Sequence, residues 1–193
     1  MEKKKKIVFI CGMYGGKRDM FLIKKVLKSF DVIYFDYDFG LRESISDYAK
    51  KLKTFIKNLK LQKDEKIGII GVSAGGVIAD YYLKFLGKNK VDKFVSICSP
   101  LHGTYLAKLG FLFFGKRKGL KELHQKSPLI KKLTKSRLKN IKSKSFWCYF
   151  DPLVPGQSAK GENSEHTLFF VHWIVQLWPP LIYKVKKFFE EDG

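Results

Sequence analysis

The chain has 193 residues, of which 45% are hydrophobic, 15% aromatic and 29% charged. That composition suits one globular domain and excludes a disordered, collagen-like or disulfide-stapled chain. The net charge is +20, from 38 basic against 18 acidic residues, and only Arg18, Arg42, Arg117 and Arg137 are arginine. Readers of bases and phosphates lean on arginine for bidentate contacts, so the lysine excess argues against nucleic-acid recognition. It leaves a general attraction to anionic surfaces, membranes included.

Lys3 to Lys6 followed by IVFIC has the outline of a signal peptide, but the apolar part is short and no small-residue cleavage site follows. Lys6–Cys11 is therefore expected to be a buried first strand, ended by Gly12. Leu22, Ile23, Val26, Leu27 and Phe30 recur at helical spacing, and Val32–Phe35 is strand-like. Ile45, Tyr48, Ala49, Leu52, Phe55, Ile56 and Leu59 predict an amphipathic helix, capped by Ser44 with Asp47 three residues on. Lys66–Val72 reads as a strand running directly into a helix that carries Ile78, Tyr81, Tyr82 and Phe85.

Val91–Cys98 is a further strand, and the stretch from Leu106 to Lys144 is helical but ragged. Ser145–Phe150 and Thr167–Val171 are expected strands, and a last helix begins at Pro179-Pro180, where proline is tolerated. Leu168 to Tyr183 is apolar, yet too short and too broken by His172 and the two prolines to span a membrane. Strands alternating with helices imply an α/β three-layer sandwich with helices on both faces of a mostly parallel sheet. The expected sheet has about six strands, in one domain over 1–193 with a basic helical insert at about 106–144. Cys11, Cys98 and Cys148 lie in apolar runs without metal-ligand spacing, so they read as buried free thiols of a reducing, cytoplasmic compartment. No metal and no cofactor is expected.

The chemistry concentrates at Gly71-Val72-Ser73-Ala74-Gly75, which fits G-x-S-x-G. The bare pattern is common by chance; its setting between a strand and a helix is what a nucleophile elbow requires. The competing reading is a glycine-rich turn without chemistry. A phosphate loop is disfavoured, because no lysine follows Gly75-Gly76. A serine nucleophile needs a base, and the base an orienting acid, in the chain order serine, acid, histidine. Asp151 follows the strand SFWCYF, and Pro152 turns the chain there. His172 follows the apolar run LFFV at the expected end of a strand, whereas His166 precedes that run and is expected at the opposite edge of the sheet. The oxyanion donors expected are the amides of Ala74 and, from the glycine-rich loop after the first strand, Met13.

These segments resemble the α/β-hydrolase superfamily, in particular small bacterial lipases and inositol-deacylase-like esterases. GVSAGG is similar to their elbow, Ser99 to Gly110 to their segment after the next strand, and Asp151 to Gly161 to their acid loop. The resemblance covers Ile7 to Phe189 and implies hydrolysis of carboxylic esters, often of lipids, without cofactor. It implies Ser73 as nucleophile, His172 as base, Asp151 as its orienter, and Met13 and Ala74 as oxyanion donors. Two residues depart from the pattern: Cys11 stands where a histidine commonly precedes the first-loop glycine, and Ser99 replaces a glycine.

Ala107 to Lys144 holds 13 basic residues and one acidic one, Glu122. By analogy with hydrolases generally, this insert is a small cap over the site. Phe111-Leu112-Phe113-Phe114 within it either docks on an anionic membrane or packs under the cap, and packing is favoured. The expectation for the whole is a monomeric serine hydrolase acting on an ester or lipid substrate, with peripheral membrane contact left open. Thioesterase, acyltransferase and peptidase chemistry share the same machinery. The alternative is a catalytically weak hydrolase-fold protein that binds anionic membrane or nucleic acid through its lysines.

Overall fold

The computed structural model describes residues 4–13, 15–16, 19–87, 89–105, 117–167 and 172–191. Six strands form one sheet: β1 (Lys6–Ile10), β2 (Asp31–Tyr34), β3 (Ile67–Val72), β4 (Val91–Ile97), β5 (Lys142–Cys148) and β6 (Ser164–Thr167). Their order is β2-β1-β3-β4-β5-β6, and every pairing is parallel. The central strands are continuous apolar runs, as burial on both faces demands; all of β3 is buried.

Helices α1 (Asp19–Val26) and α7 (Pro179–Glu190), with the 3₁₀ turn His172–Leu177, cover one face. There Ile23 and Leu27 meet Leu181, Ile182, Val185, Phe188 and Phe189 over Ile7, Phe9, Ile70 and Val95. Helices α2 (Ile45–Asn58) and α3 (Ala74–Phe85) cover the other face. The Ser44 hydroxyl accepts from the Asp47 amide at 3.1 Å, which fixes the start of α2. No helix among the described residues is long and apolar enough to cross a membrane.

Three expectations change. The late strands run earlier than the hydrophobic pattern indicates: β5 begins at Lys142, inside the expected insert, and β6 is the polar segment Ser164–Thr167. An edge strand with a solvated face needs no apolar run, which is why SEHT escapes a hydrophobicity reading. The expected strand over Thr167–Val171 coincides with β6 only at Thr167, and residues 168–171 lie outside the described residues. His166 consequently lies within β6, opposite Trp147, rather than at the far edge of the sheet. It turns its ring toward Trp147 and Tyr149.

The described part of the insert, residues 117–144, is packed into the body of the domain. Helices α4 (Lys118–Glu122), with its C-cap Leu123, and α5 (Pro128–Thr134) drive Leu120, Leu123, Ile130 and Leu133 into the same core as α2 and α3. The Glu122 carboxylate accepts the Ile45 amide at 2.7 Å, tying the insert to the start of α2. The Phe111–Phe114 run lies outside the described residues.

Candidate active site

The sheet order reverses between β1 and β3, and in open α/β sheets the cleft at such a switch point lies outside the carboxyl ends of the strands. The loop after β1 and the turn after β3 meet there. Ser73 directly follows β3 with φ 51° and ψ −124°, a conformation that costs a side-chain-bearing residue about 1–3 kcal/mol. Two contacts lock it in place. The Ser73 amide donates to the Ile97 carbonyl at 2.9 Å, and the Gly76 amide donates back to the Ser73 carbonyl at 3.1 Å. A side chain at Gly75 would put its Cβ 2.4 Å from the Ile10 and Cys11 carbonyl oxygens, so only glycine lets α3 approach β1 this closely. Ser99, a departure from the family pattern, is fully buried and donates to the Gly71 carbonyl at 3.3 Å, joining β4 to the elbow.

Three side chains converge. Ser73 Oγ lies 2.9 Å from His172 Nε2, and His172 Nδ1 lies 2.5 Å from Asp151 Oδ2. His172 and Asp151 are both buried. Asp151 Oδ1 accepts the backbone amides of Leu153 and Val154 at 2.8 and 2.9 Å, so the acid is held by its own turn. His172 begins the 3₁₀ turn that leads into α7. The sequence-derived trio is thus one connected set of hydrogen bonds, whereas His166 stands apart on β6.

Ala74 is the first residue of α3, directly after Ser73, where the amide has no acceptor within the helix. Met13 follows Gly12, whose own Cβ, were one present, would come within 2.8 Å of the Ser73 Cβ. The loop bearing the Met13 amide therefore abuts the serine; Tyr14, Lys17 and Arg18 of this loop lie outside the described residues. The other departure, Cys11, is buried, and its carbonyl accepts the Tyr37 hydroxyl at 2.8 Å. Burial foremost, then nearby Cys11, push the Tyr37 phenol well above its usual pKa, so it stays a neutral donor.

Sequence reasoning missed the support of the acid loop. Segment 99–105 is stitched by hydrogen bonds to 151–161, which carries the short helix α6 (Gly156–Ala159). Thr104 Oγ1 donates to the Leu153 carbonyl at 2.9 Å, and the His102 amide to the Ser158 carbonyl at 3.0 Å. His102 Nε2 lies 3.0 Å from the Lys160 carbonyl, and the Ser158 hydroxyl donates to the Gly103 carbonyl. Missed too was the meeting of Cys98 and Cys148 beside Asp151; their ligand atoms lie within 4.8 Å of one another. The signal available was that each cysteine sits in an apolar run.

The chain matches the family described as Palmitoyl protein thioesterase over residues 8–149. No curated protein matches significantly. Among solved structures, the mature lipase BlEst2 of Bacillus licheniformis is 16% identical with a TM-score of 0.72, covering 94% of this chain and 90% of that one. A lipase-esterase related protein from Clostridium acetobutylicum ATCC 824 is 16% identical with a TM-score of 0.68, covering 95% and 94%. The metagenomic carboxyl esterase MGS0156 is 14% identical with a TM-score of 0.76, covering 96% and 76%. At such identities the likeness is one of fold: the six-stranded parallel sheet is that of the α/β hydrolases. With the family match spanning most of its length, the chain belongs to the palmitoyl protein thioesterase family and is a carboxylic ester hydrolase in the broad sense that includes thioesters.

Proposed function

We propose that the protein cleaves acyl esters or thioesters of lipid-like chains through an acyl-enzyme on Ser73. The observation that carries this reading is the unbroken path from Ser73 Oγ through His172 to Asp151, with links of 2.9 and 2.5 Å. His172 Nε2 takes the proton as Ser73 attacks the acyl carbon, and Asp151 holds the ring in the tautomer that leaves Nε2 free to accept. The Ala74 and Met13 amides receive the charge that develops on the carbonyl oxygen, helped by the positive end of α3. His172 then protonates the leaving alcohol or thiol, and water resolves the acyl-enzyme by the same route in reverse.

The family description favours long-chain thioesters, and the lipase and carboxyl esterase neighbours favour oxygen esters. The test is fluorophosphonate labelling with the adduct mapped by mass spectrometry, alongside hydrolysis of p-nitrophenyl esters and acyl-CoA thioesters from two to sixteen carbons. Labelling confined to Ser73 and abolished in Ser73→Ala, with turnover, is the expected result. A folded protein that neither labels nor turns over would refute the reading.

A second element of the proposal is peripheral contact with anionic membrane. Tyr149 and Phe150, 67% and 71% exposed, directly precede Asp151, and Tyr105 is 60% exposed, on a chain of net charge +20. Exposed aromatics with lysines suit a lipid interface. Flotation with vesicles that depends on anionic lipid and weakens with salt supports it; indifference to both removes it.

A further inference from the structure

Beside Asp151 lies a pair of thiols with no part in the chemistry described so far. β4 and β5 are neighbours, with Ile97 opposite Phe146, and the Cys98 amide extends the ladder by donating to the Phe146 carbonyl at 2.8 Å. The strand ends therefore bring Cys98 and Cys148 together, with the sulfurs 3.1 Å apart and both residues 1% exposed. Cys98 has φ 45°, the left-handed region that side-chain-bearing residues avoid. Both sulfurs and an Asp151 carboxylate oxygen lie within 4.8 Å of one another.

The acid has a use for such a neighbour. A buried carboxylate offers about four acceptor positions. The Leu153 and Val154 amides take two on Oδ1, and His172 Nδ1–H takes one on Oδ2. The Asp151 side chain has no exposure to solvent, so any fourth donor comes from the protein or a trapped water. Two thiols in contact carry two S–H protons. One satisfies the sulfur–sulfur contact, and the other is free to point at the carboxylate.

We propose that Cys98 is a positioning residue for the catalytic acid, donating its S–H to Asp151 while Cys148 S–H donates to Cys98. This rests on the reading of Ser73, His172 and Asp151 as a triad. The role needs a neutral thiol, and the surroundings keep it neutral. The hydrogen bond with Cys148, burial and the nearby carboxylate all push the Cys98 pKa far up. The same protonation makes the pair a poor target for oxidants, which react with thiolate.

The experiment compares Cys98→Ala and Cys98→Ser, which share backbone strain and differ by a donor. In Cys98→Ala, kcat should fall about tenfold with KM unchanged. The acid limb of kcat/KM should move to higher pH, because a carboxylate with one donor fewer stabilises the His172 imidazolium more. Cys98→Ser should recover most of kcat and return the limb toward wild type. Thermal unfolding and fluorophosphonate stoichiometry identify misfolded protein. Wild-type kcat and an unmoved limb in Cys98→Ala would overturn the proposal, as would equal losses in both variants. Stoichiometric inhibition of the wild type by zinc, absent in Cys98→Ala, would overturn it in favour of a site for a thiophilic cation. An active Ser73→Ala would instead remove the triad reading beneath it.

Discussion

Ser73 and Asp151 follow strands β3 and β5, separated by β4, and they are held by different forces. At the elbow the serine occupies a backbone conformation that it would not choose, and steric fit keeps it there: α3 lies so close to β1 that the Gly75 position has no room for a Cβ. At the acid loop little is strained. Asp151 is fixed by two backbone amides, by His172, and by stitches from segment 99–105. A site held by shape should fail when atoms are added, and one held by hydrogen bonds should fail when donors and acceptors are exchanged.

The largest expected effect therefore comes from an isosteric change. Asp151→Asn adds no volume but sets an amide group against three N–H donors, of which at most two can be met by its carbonyl oxygen. His172 then loses its orienting acceptor and is free to take the wrong tautomer. We expect kcat/KM to fall roughly 10³- to 10⁴-fold with little change in thermal stability. A loss of less than tenfold in steady-state ester hydrolysis would mean that Asp151 does not orient the base.

The opposite experiment is Gly75→Ala, which alters no polar group. Its Cβ would lie 2.4 Å from two carbonyl oxygens of the β1 end, where backbone has to move. The cost should be about 3 kcal/mol, at the upper end for overpacking a well-ordered site. Fluorophosphonate reactivity should fall with it, because the same displacement moves Ser73. Urea unfolding measures the first and labelling rate the second. A stable variant that labels at the wild-type rate would contradict the steric account of the elbow.

The same contrast explains what the sequence discloses. A glycine imposed by close approach leaves a letter behind, and an apolar run that must be buried on both faces does so as well. GVSAGG, KIVFIC and KIGIIGV were legible for that reason, along with the capped helix after Ser44. The meeting of Ser73, Asp151 and His172 was legible because this topology restricts which strand ends come together. Hydrogen bonds between distant loops leave no comparable mark: nothing in Thr104, His102 or Ser158 announces that they brace Asp151. Lys142 and Lys144 read as the end of the ragged helical stretch, yet both lie in β5. Lys144 keeps its place there by stacking on Phe146 and pairing with Glu165 at 2.7 Å. The preference for His172 over His166 rests on a strand ending just before His172, whereas β6 ends at Thr167.

That last edge offers the smallest test, of how firmly the segment leading to His172 has to be anchored. Glu165 on β6 accepts Lys144 of β5 and Lys184 of α7, at 2.7 and 2.5 Å. Its hydrogen bonds with the two lysines hold its carboxyl below the ordinary glutamate value of 4.5. A group with a lowered folded-state pKa contributes stability that is present above its unfolded value and lost as pH falls through the folded one. Glu165 is a third exposed, so solvent screens the pairs, and Glu165→Gln should cost only about 0.5 kcal/mol at pH 7. The difference from wild type should vanish below the ordinary glutamate range, where both proteins carry a neutral side chain, and it should shrink in high salt. Ester hydrolysis should change less than twofold, since the neighbouring strand pairing of Trp147 with His166 and of Cys148 with Thr167 remains intact. A large fall in kcat with unchanged stability would show that the charge pairs on β6, rather than the backbone ladder, set the position of His172.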